Sequence, residues 1–156
     1  MPKGIRIELP DEPPLILTNL VLDFTGTLSL DGELIPGVAE SLKALSGKLR
    51  ITILTSDTFG TAKKALQGLP MEVLLVKNGK EKAKFVQRIG GKKVIAIGNG
   101  QNDIEMLRLA ALGIAVAGAE GCSGKLVAVS DVLVSDIIHA LDLLKNPLRI
   151  KATLRK

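Results

Sequence analysis

The chain has 156 residues, 46% hydrophobic and 24% charged, with 21 Lys and Arg against 16 Asp and Glu and a formal net charge of +5. A domain of that length buries about 70% of its unfolded surface, so it needs no disulfide or structural metal to hold it, and a composition this apolar excludes disorder. A single cysteine, Cys122, and a single histidine, His139, exclude an internal disulfide, multi-cysteine zinc sites and histidine metal clusters.

Residues 5–9 and 15–18 predict a small N-terminal hairpin around Pro10-Asp-Glu-Pro-Pro14, where proline forbids regular pairing, and it is expected at a sheet edge. From there apolar runs of strand length alternate with stretches of helical period, the pattern of a parallel sheet covered by helices on both faces. Strands are predicted at 20–24, 50–54, 72–76, 94–97, 113–116 and 132–134. The first helix carries Val38, Leu42 and Leu45 and stops at Gly47. The second spans 59–69, begun by the capping residues Asp57 and Thr58 and ended by Gly68 and Pro70. Three more are expected at 80–89, 102–110 and 136–144. The chain reads as one α/β domain over 1–156, with the hairpin in 1–18, a core in 19–145 and an extension in 146–156.

No apolar run approaches the roughly 20 residues of a membrane span, and the opening Met-Pro-Lys-Gly-Ile-Arg lacks an apolar segment before a cleavage site. A cytoplasmic location without a membrane partner is the expectation. Much of the positive charge lies in two clusters, one from Lys77 to Lys93 and one from Lys145 to Lys156. With no Trp, no Tyr and three Phe, base stacking has almost no platform, so nucleic acid is not the expected partner. A small phosphorylated molecule fits the charge at least as well.

In such a sheet, ligands bind beyond the carboxyl ends of the central strands. Three of those ends are polar: Asp23-Phe-Thr-Gly-Thr27, Thr55-Ser-Asp57 followed by Gly60-Thr-Ala62, and Gly98-Asn-Gly-Gln-Asn-Asp103. Hydroxyls and unhindered amides after Asp23 can surround a phosphate, the amides after Thr55 can bind an anion, and the Asn and Asp oxygens of the third segment suit a hard cation.

Together the three segments resemble motifs of the haloacid dehalogenase superfamily, most closely those of the phosphorylation domain of P-type cation-transporting ATPases. The likeness runs from about residue 20 to 145 and looks like that of a stand-alone, soluble P-type ATPase-like protein. It implies a three-layer, Rossmann-like fold without a cap domain, and a Mg²⁺-dependent phosphatase that works through an aspartyl phosphate. By this resemblance Asp23 is the nucleophile, the Thr25 carbonyl helps hold Mg²⁺ with Asn99 and Asp103, and Gly26, Thr55 and Ser56 bind phosphoryl oxygens. Lys82, in Lys82-Ala-Lys-Phe-Val86, is the phosphate lysine, with Lys77 and Lys80 as alternates.

The departures also carry expectations. Thr25 stands where most superfamily phosphatases have an acid/base Asp, which predicts slow turnover. Phe24 replaces the transporters' Lys, and Asn99 replaces an Asp that commonly ligates magnesium, which removes a charge. The alternative reading is therefore a catalytically weak, phosphate-sensing or regulatory module that binds a protein partner. A capless site also admits a homo-oligomer.

Overall fold

A computed structural model describes residues 2–156; Met1, the first residue of the expected hairpin segment, lies outside the described residues. The chain opens with β1 (Ile5–Ile7) and β2 (Leu15–Leu17), an antiparallel pair. β3 (Asn19–Asp23) follows, then a second hairpin of β4 (Ser29–Leu30) and β5 (Glu33–Leu34), and helix α1 (Val38–Leu45). The middle of the chain forms β6 (Arg50–Thr55), α2 (Thr61–Ala65), β7 (Glu72–Leu75), α3 (Gly79–Ile89) and β8 (Val94–Gly98). The last part holds α4 (Ile104–Leu109), β9 (Leu112–Val116), α5 (Gly124–Val129), β10 (Val132–Val134), α6 (Ile137–Lys145) and α7 (Pro147–Leu154).

The main sheet has the order β10-β9-β8-β3-β6-β7 and every pairing in it is parallel. Its strands are apolar throughout because alternate side chains enter two separate cores. Leu20, Leu22, Ile51, Ile53, Ile95 and Ile97 pack on one face with α1 and α6, while Val21, Leu54, Val94 and Ala96 pack on the other with α3, α4 and α5. This is the three-layer α/β fold expected from the sequence. From β3 the chain builds outward through β6 to β7 and then crosses to β8 on the other side, so strand order reverses between β3 and β8. Crevices at such a reversal are where open α/β sheets hold ligands. Only the β4–β5 hairpin and α1 separate β3 from β6, and α2 and β7 separate β6 from α3, so neither connection carries a cap domain.

Three local features differ from the sequence reading. The N-terminal hairpin is not on a sheet edge: Thr18 N–H donates to Lys93 O, Thr18 O accepts from Arg50 N–H, and Gly4 N–H donates to Lys48 O, which places the hairpin beneath the amino ends of the central strands. Helix α2 is five residues long instead of the expected span 59–69: Gly60, at a left-handed φ of 76°, delays its start, and it ends at the Leu66 cap ahead of Gly68, at φ 81°. Finally, α5, α7 and the β4–β5 hairpin carry no strong periodicity in the sequence. α7 begins with Pro147 at its first turn, where the missing N–H costs nothing, and buries Ile150.

Candidate active site

The site forms where β6, β3 and β8 end side by side. Asp23 is the last residue of β3, and the chain then wraps around one carbonyl: Phe24 O accepts from the N–H groups of Thr27, Leu28 and Ser29 at 2.9–3.2 Å and from the Ser29 hydroxyl at 3.2 Å. The turn also needs Gly26, at φ 76°, where a Cβ would stand 2.4 Å from Asn99 Nδ2. Gly26→Ala should therefore lose more than about 2 kcal/mol, since a non-glycine residue at positive φ costs about 1–3 kcal/mol before the clash is counted. A urea unfolding midpoint within experimental error of wild type would show that the loop is not fixed in this way.

Lys82 joins the end of β3 to the loop after β8. It lies on the buried stripe of α3 with Val86 and Ile89, one and two helical turns away, so its stem packs among apolar side chains while the ammonium reaches inward. Nζ lies 2.8 Å from Asp23 Oδ1 and 2.8 Å from Asp103 Oδ1, and Lys82 is 1% exposed. Burial pulls the Lys82 pKa down, but the two carboxylates outweigh it and hold the ammonium above its usual range. Burial, then the charge of Asp103, push Asp23 up; Lys82 and the Thr27 hydroxyl pull it back, and it settles at about 6. One ammonium is thus shared between two carboxylates, and their mutual repulsion adds to the effect of burial on Asp23. Lys77 and Lys80, by contrast, are exposed.

Asp103 was expected among the metal ligands, but both of its oxygens are occupied by protein donors. Oδ1 takes Lys82, and Oδ2 accepts from the N–H groups of Asn99 at 3.2 Å and Gly100 at 3.1 Å. Gly98 makes room for this, since a Cβ there would stand 2.4 Å from Asp103 Oδ2. Asp103 thus shapes the 98–103 loop and anchors Lys82. Asn99 turns toward Asp23: the Thr27 hydroxyl lies 3.1 Å from Asn99 Oδ1 and 3.2 Å from Asp23 Oδ2, and Asn99 Nδ2 donates to Gly121 O. One hydroxyl hydrogen between two acceptor oxygens leaves an oxygen-rich corner that suits a hard cation. Among the described residues no group of three or more His, Cys, Asp and Glu could hold a metal by itself. The Asp23 carboxylate and the Asn99 amide oxygen at this corner are donor types that a hard cation takes.

On the other side of Asp23, Thr55 is buried at the end of β6, and its hydroxyl oxygen accepts from Asp57 N–H at 3.1 Å, which leaves its hydrogen free to donate. Ser56 is exposed beside it. Asp57 caps the turn from a distance, Oδ1 accepting from Phe59 N–H at 3.0 Å and Oδ2 from Ala62 N–H at 3.2 Å. What burial Asp57 has pushes its carboxyl up, but those N–H groups outweigh it and it titrates below the usual range. Two cavities flank the 24–27 loop, separated by the β4–β5 hairpin. One, of about 300 Å³, is lined by Thr25, Ser56, Asp57 and Phe59 with Gly32 at the hairpin tip; the other, of about 340 Å³, runs from Gly26 and Thr27 between Leu30, Ile35 and Val116.

A Rossmann-like sheet with an aspartate, a hydroxyl and a buried lysine converging beyond its central strands defines a class of phosphate-handling hydrolase. The family described as haloacid dehalogenase-like hydrolase matches residues 53–122, and the chain belongs to the haloacid dehalogenase superfamily. An uncharacterized protein of Methanocaldococcus jannaschii is 56% identical over 64 residues, 41% of this chain and 69% of that protein. The fold is shared with 3-deoxy-D-manno-octulosonate 8-phosphate phosphatase from Moraxella catarrhalis, solved with magnesium, phosphate and KDO. The TM-score is 0.69 at 17% identity, over 88% of this chain and 89% of that one. It is shared as well with a zinc-transporting PIB-type ATPase in the E2P state, with a TM-score of 0.64 at 22% identity, over 76% of this chain and 20% of that one. No helix among the described residues is long and apolar enough to cross a membrane.

Proposed function

We propose that the protein is a slow, Mg²⁺-dependent phosphohydrolase that acts on a small phosphate ester through a phosphoryl group carried on Asp23. The observation that carries this reading is the buried Lys82 ammonium, 2.8 Å from Asp23 at the carboxyl end of the central strand. Phosphoryl transfer chiefly needs positioning and fixed positive charge around the equatorial oxygens, and Lys82, the Thr55 hydroxyl and the amides after Asp23 and Thr55 provide them. An Asp23 oxygen attacks phosphorus, the bond to the ester oxygen breaks, and the leaving alkoxide takes a proton from solvent. Water then attacks the same phosphorus, phosphate departs and the Asp23 carboxylate is restored. Asp103 acts through Lys82, holding the ammonium against the nucleophile. Magnesium, when bound by Asp23, the Thr25 carbonyl and Asn99, supplies further neutralisation of phosphoryl charge.

Acetyl phosphate with Mg²⁺ should give a hydroxylamine-sensitive adduct on the intact protein, absent from Asp23→Asn. If no adduct and no turnover of p-nitrophenyl phosphate appear, the hydrolytic reading fails. Asn99→Asp examines the metal corner. A second carboxylate beside Asp23 and facing Gly121 O should lower the Tm of the metal-free protein, while the added charge should tighten Mg²⁺ by about tenfold or more. Calorimetric titration without phosphate measures the gain, and unchanged affinity would place Asn99 away from the ion.

A further inference from the structure

The two cavities beside the site are walled without basic side chains: among the described residues no Lys, Arg or His lines either cavity flanking the 24–27 loop, in a chain that carries 21 Lys and Arg. The charged residues that do line them are Glu33, Glu120 and Asp136 in the larger cavity and Asp57 in the smaller. Asp57 and Asp136 are partly spoken for as caps, Asp136 Oδ1 accepting from His139 N–H at 2.9 Å, but Glu33 and Glu120 are exposed. The one ammonium inside, Lys82, is held by Asp23 and Asp103. Lys77 and Lys80 are exposed near the start of α3 and line neither cavity. The remaining walls are apolar or neutral: Leu30, Ile35 and Val116 on one side of the hairpin, Thr25, Ser56 and Phe59 on the other. Phe59 is 94% exposed at the mouth of its cavity, where its ring adds apolar surface to the rim.

Resting on the phosphohydrolase reading, we infer that the substrate is a monophosphate ester whose leaving group is uncharged or cationic and presents an apolar face. A leaving group that carries its own carboxylate or further phosphates is excluded. The phosphoryl group itself is drawn in by Lys82, the loop amides and magnesium, so the chain can accept one dianion at Asp23 and still repel a second. Whichever side of the β4–β5 hairpin the leaving group takes, it meets carboxylates and apolar walls. Its own anionic group would find no partner there and would lose hydration on entry.

Phosphoethanolamine and phosphoglycolate test this, being esters of similar size that end in an ammonium and a carboxylate. The kcat/KM for each should be measured with Mg²⁺, and the binding of each to Asp23→Asn, which cannot turn them over. The ammonium ester should be favoured by about tenfold or more at low salt, with the preference falling as salt screens the rim. Combining Glu33→Lys with Glu120→Lys should abolish or reverse it. Phe59→Ala should raise KM for phenyl phosphate more than for phosphoethanolamine. Equal handling of the two esters, preference for the carboxylate, binding of neither, or a preference that the double substitution leaves intact would each overturn the inference. Preferential binding without turnover would sink the hydrolytic reading and leave this one standing, and turnover without preference would do the reverse.

Discussion

Lys82→Met should destabilise the protein by about 3–5 kcal/mol near pH 8, the usual range when one partner of a buried ion pair is removed. In a chain of this size each kcal/mol moves Tm by roughly 2–4 °C, so the transition should fall by about 6–20 °C. Methionine fills most of the lysine stem's volume, so lost packing contributes little. The loss comes from two carboxylates left in a buried cluster, Asp23 7% and Asp103 0% exposed, without the ammonium 2.8 Å from each. The deficit should depend on pH, and its sign is fixed by Asp23. Its pKa is already raised from 3.8 to about 6 with Lys82 present and would rise further without it. A native state that holds a proton the unfolded chain has released is stabilised in full below 3.8 and loses that contribution as pH rises through the native pKa. The variant should therefore lie closest to wild type near pH 5 and furthest from it near pH 8. Thermal unfolding of both proteins across that range is the measurement. A pH-independent difference, or one under about 1 kcal/mol, would mean that water enters the cluster and the carboxylates are not dependent on the ammonium.

The second large effect concerns the step that removes phosphate from Asp23. Thr25 is exposed and lines the smaller cavity beside Ser56. A threonine hydroxyl can hydrogen-bond there but cannot deliver a proton to an alkoxide or accept one from water at neutral pH. Asp57 does not substitute for it, because both of its oxygens accept backbone N–H groups and its pKa is held low, which makes it a weak base. Acyl phosphates and esters with good leaving groups should still phosphorylate Asp23, and the adduct should accumulate. Thr25→Asp should hasten its decay by about 10²- to 10⁴-fold, the range for a positioned acid/base. Decay of the labelled protein after a chase, variant against wild type, reads this directly. A wild-type adduct that vanishes quickly, or a variant that decays no faster, would show that another group activates the water.

The strands were legible from composition alone, because a parallel sheet buried on both faces requires continuous apolar runs, and those runs ended in the polar segments that the fold brings together. The fold class followed from their alternation with helical periods. Where local signals were weak, the reading was weak: α2 starts late because a left-handed Gly60 competes with the caps before it, and α5 and α7 are held by packing rather than by their own pattern. The site divides in the same way. That Asp23, Thr55 and Asn99 sit at strand ends is a property of the linear sequence. Lys82 was singled out there by its Lys-x-Lys-apolar pattern, and its place on the stripe of Val86 and Ile89 is the further signal that separates it from Lys77 and Lys80. That Lys82 reaches both Asp23 and Asp103, and that among the described residues no basic side chain lines either flanking cavity, depend on distances across the sheet, whereas the Asp57 bonds to Phe59 and Ala62 are local. The sharing of one ammonium between two carboxylates is a relation between residues far apart in the chain, and only the folded packing decides it.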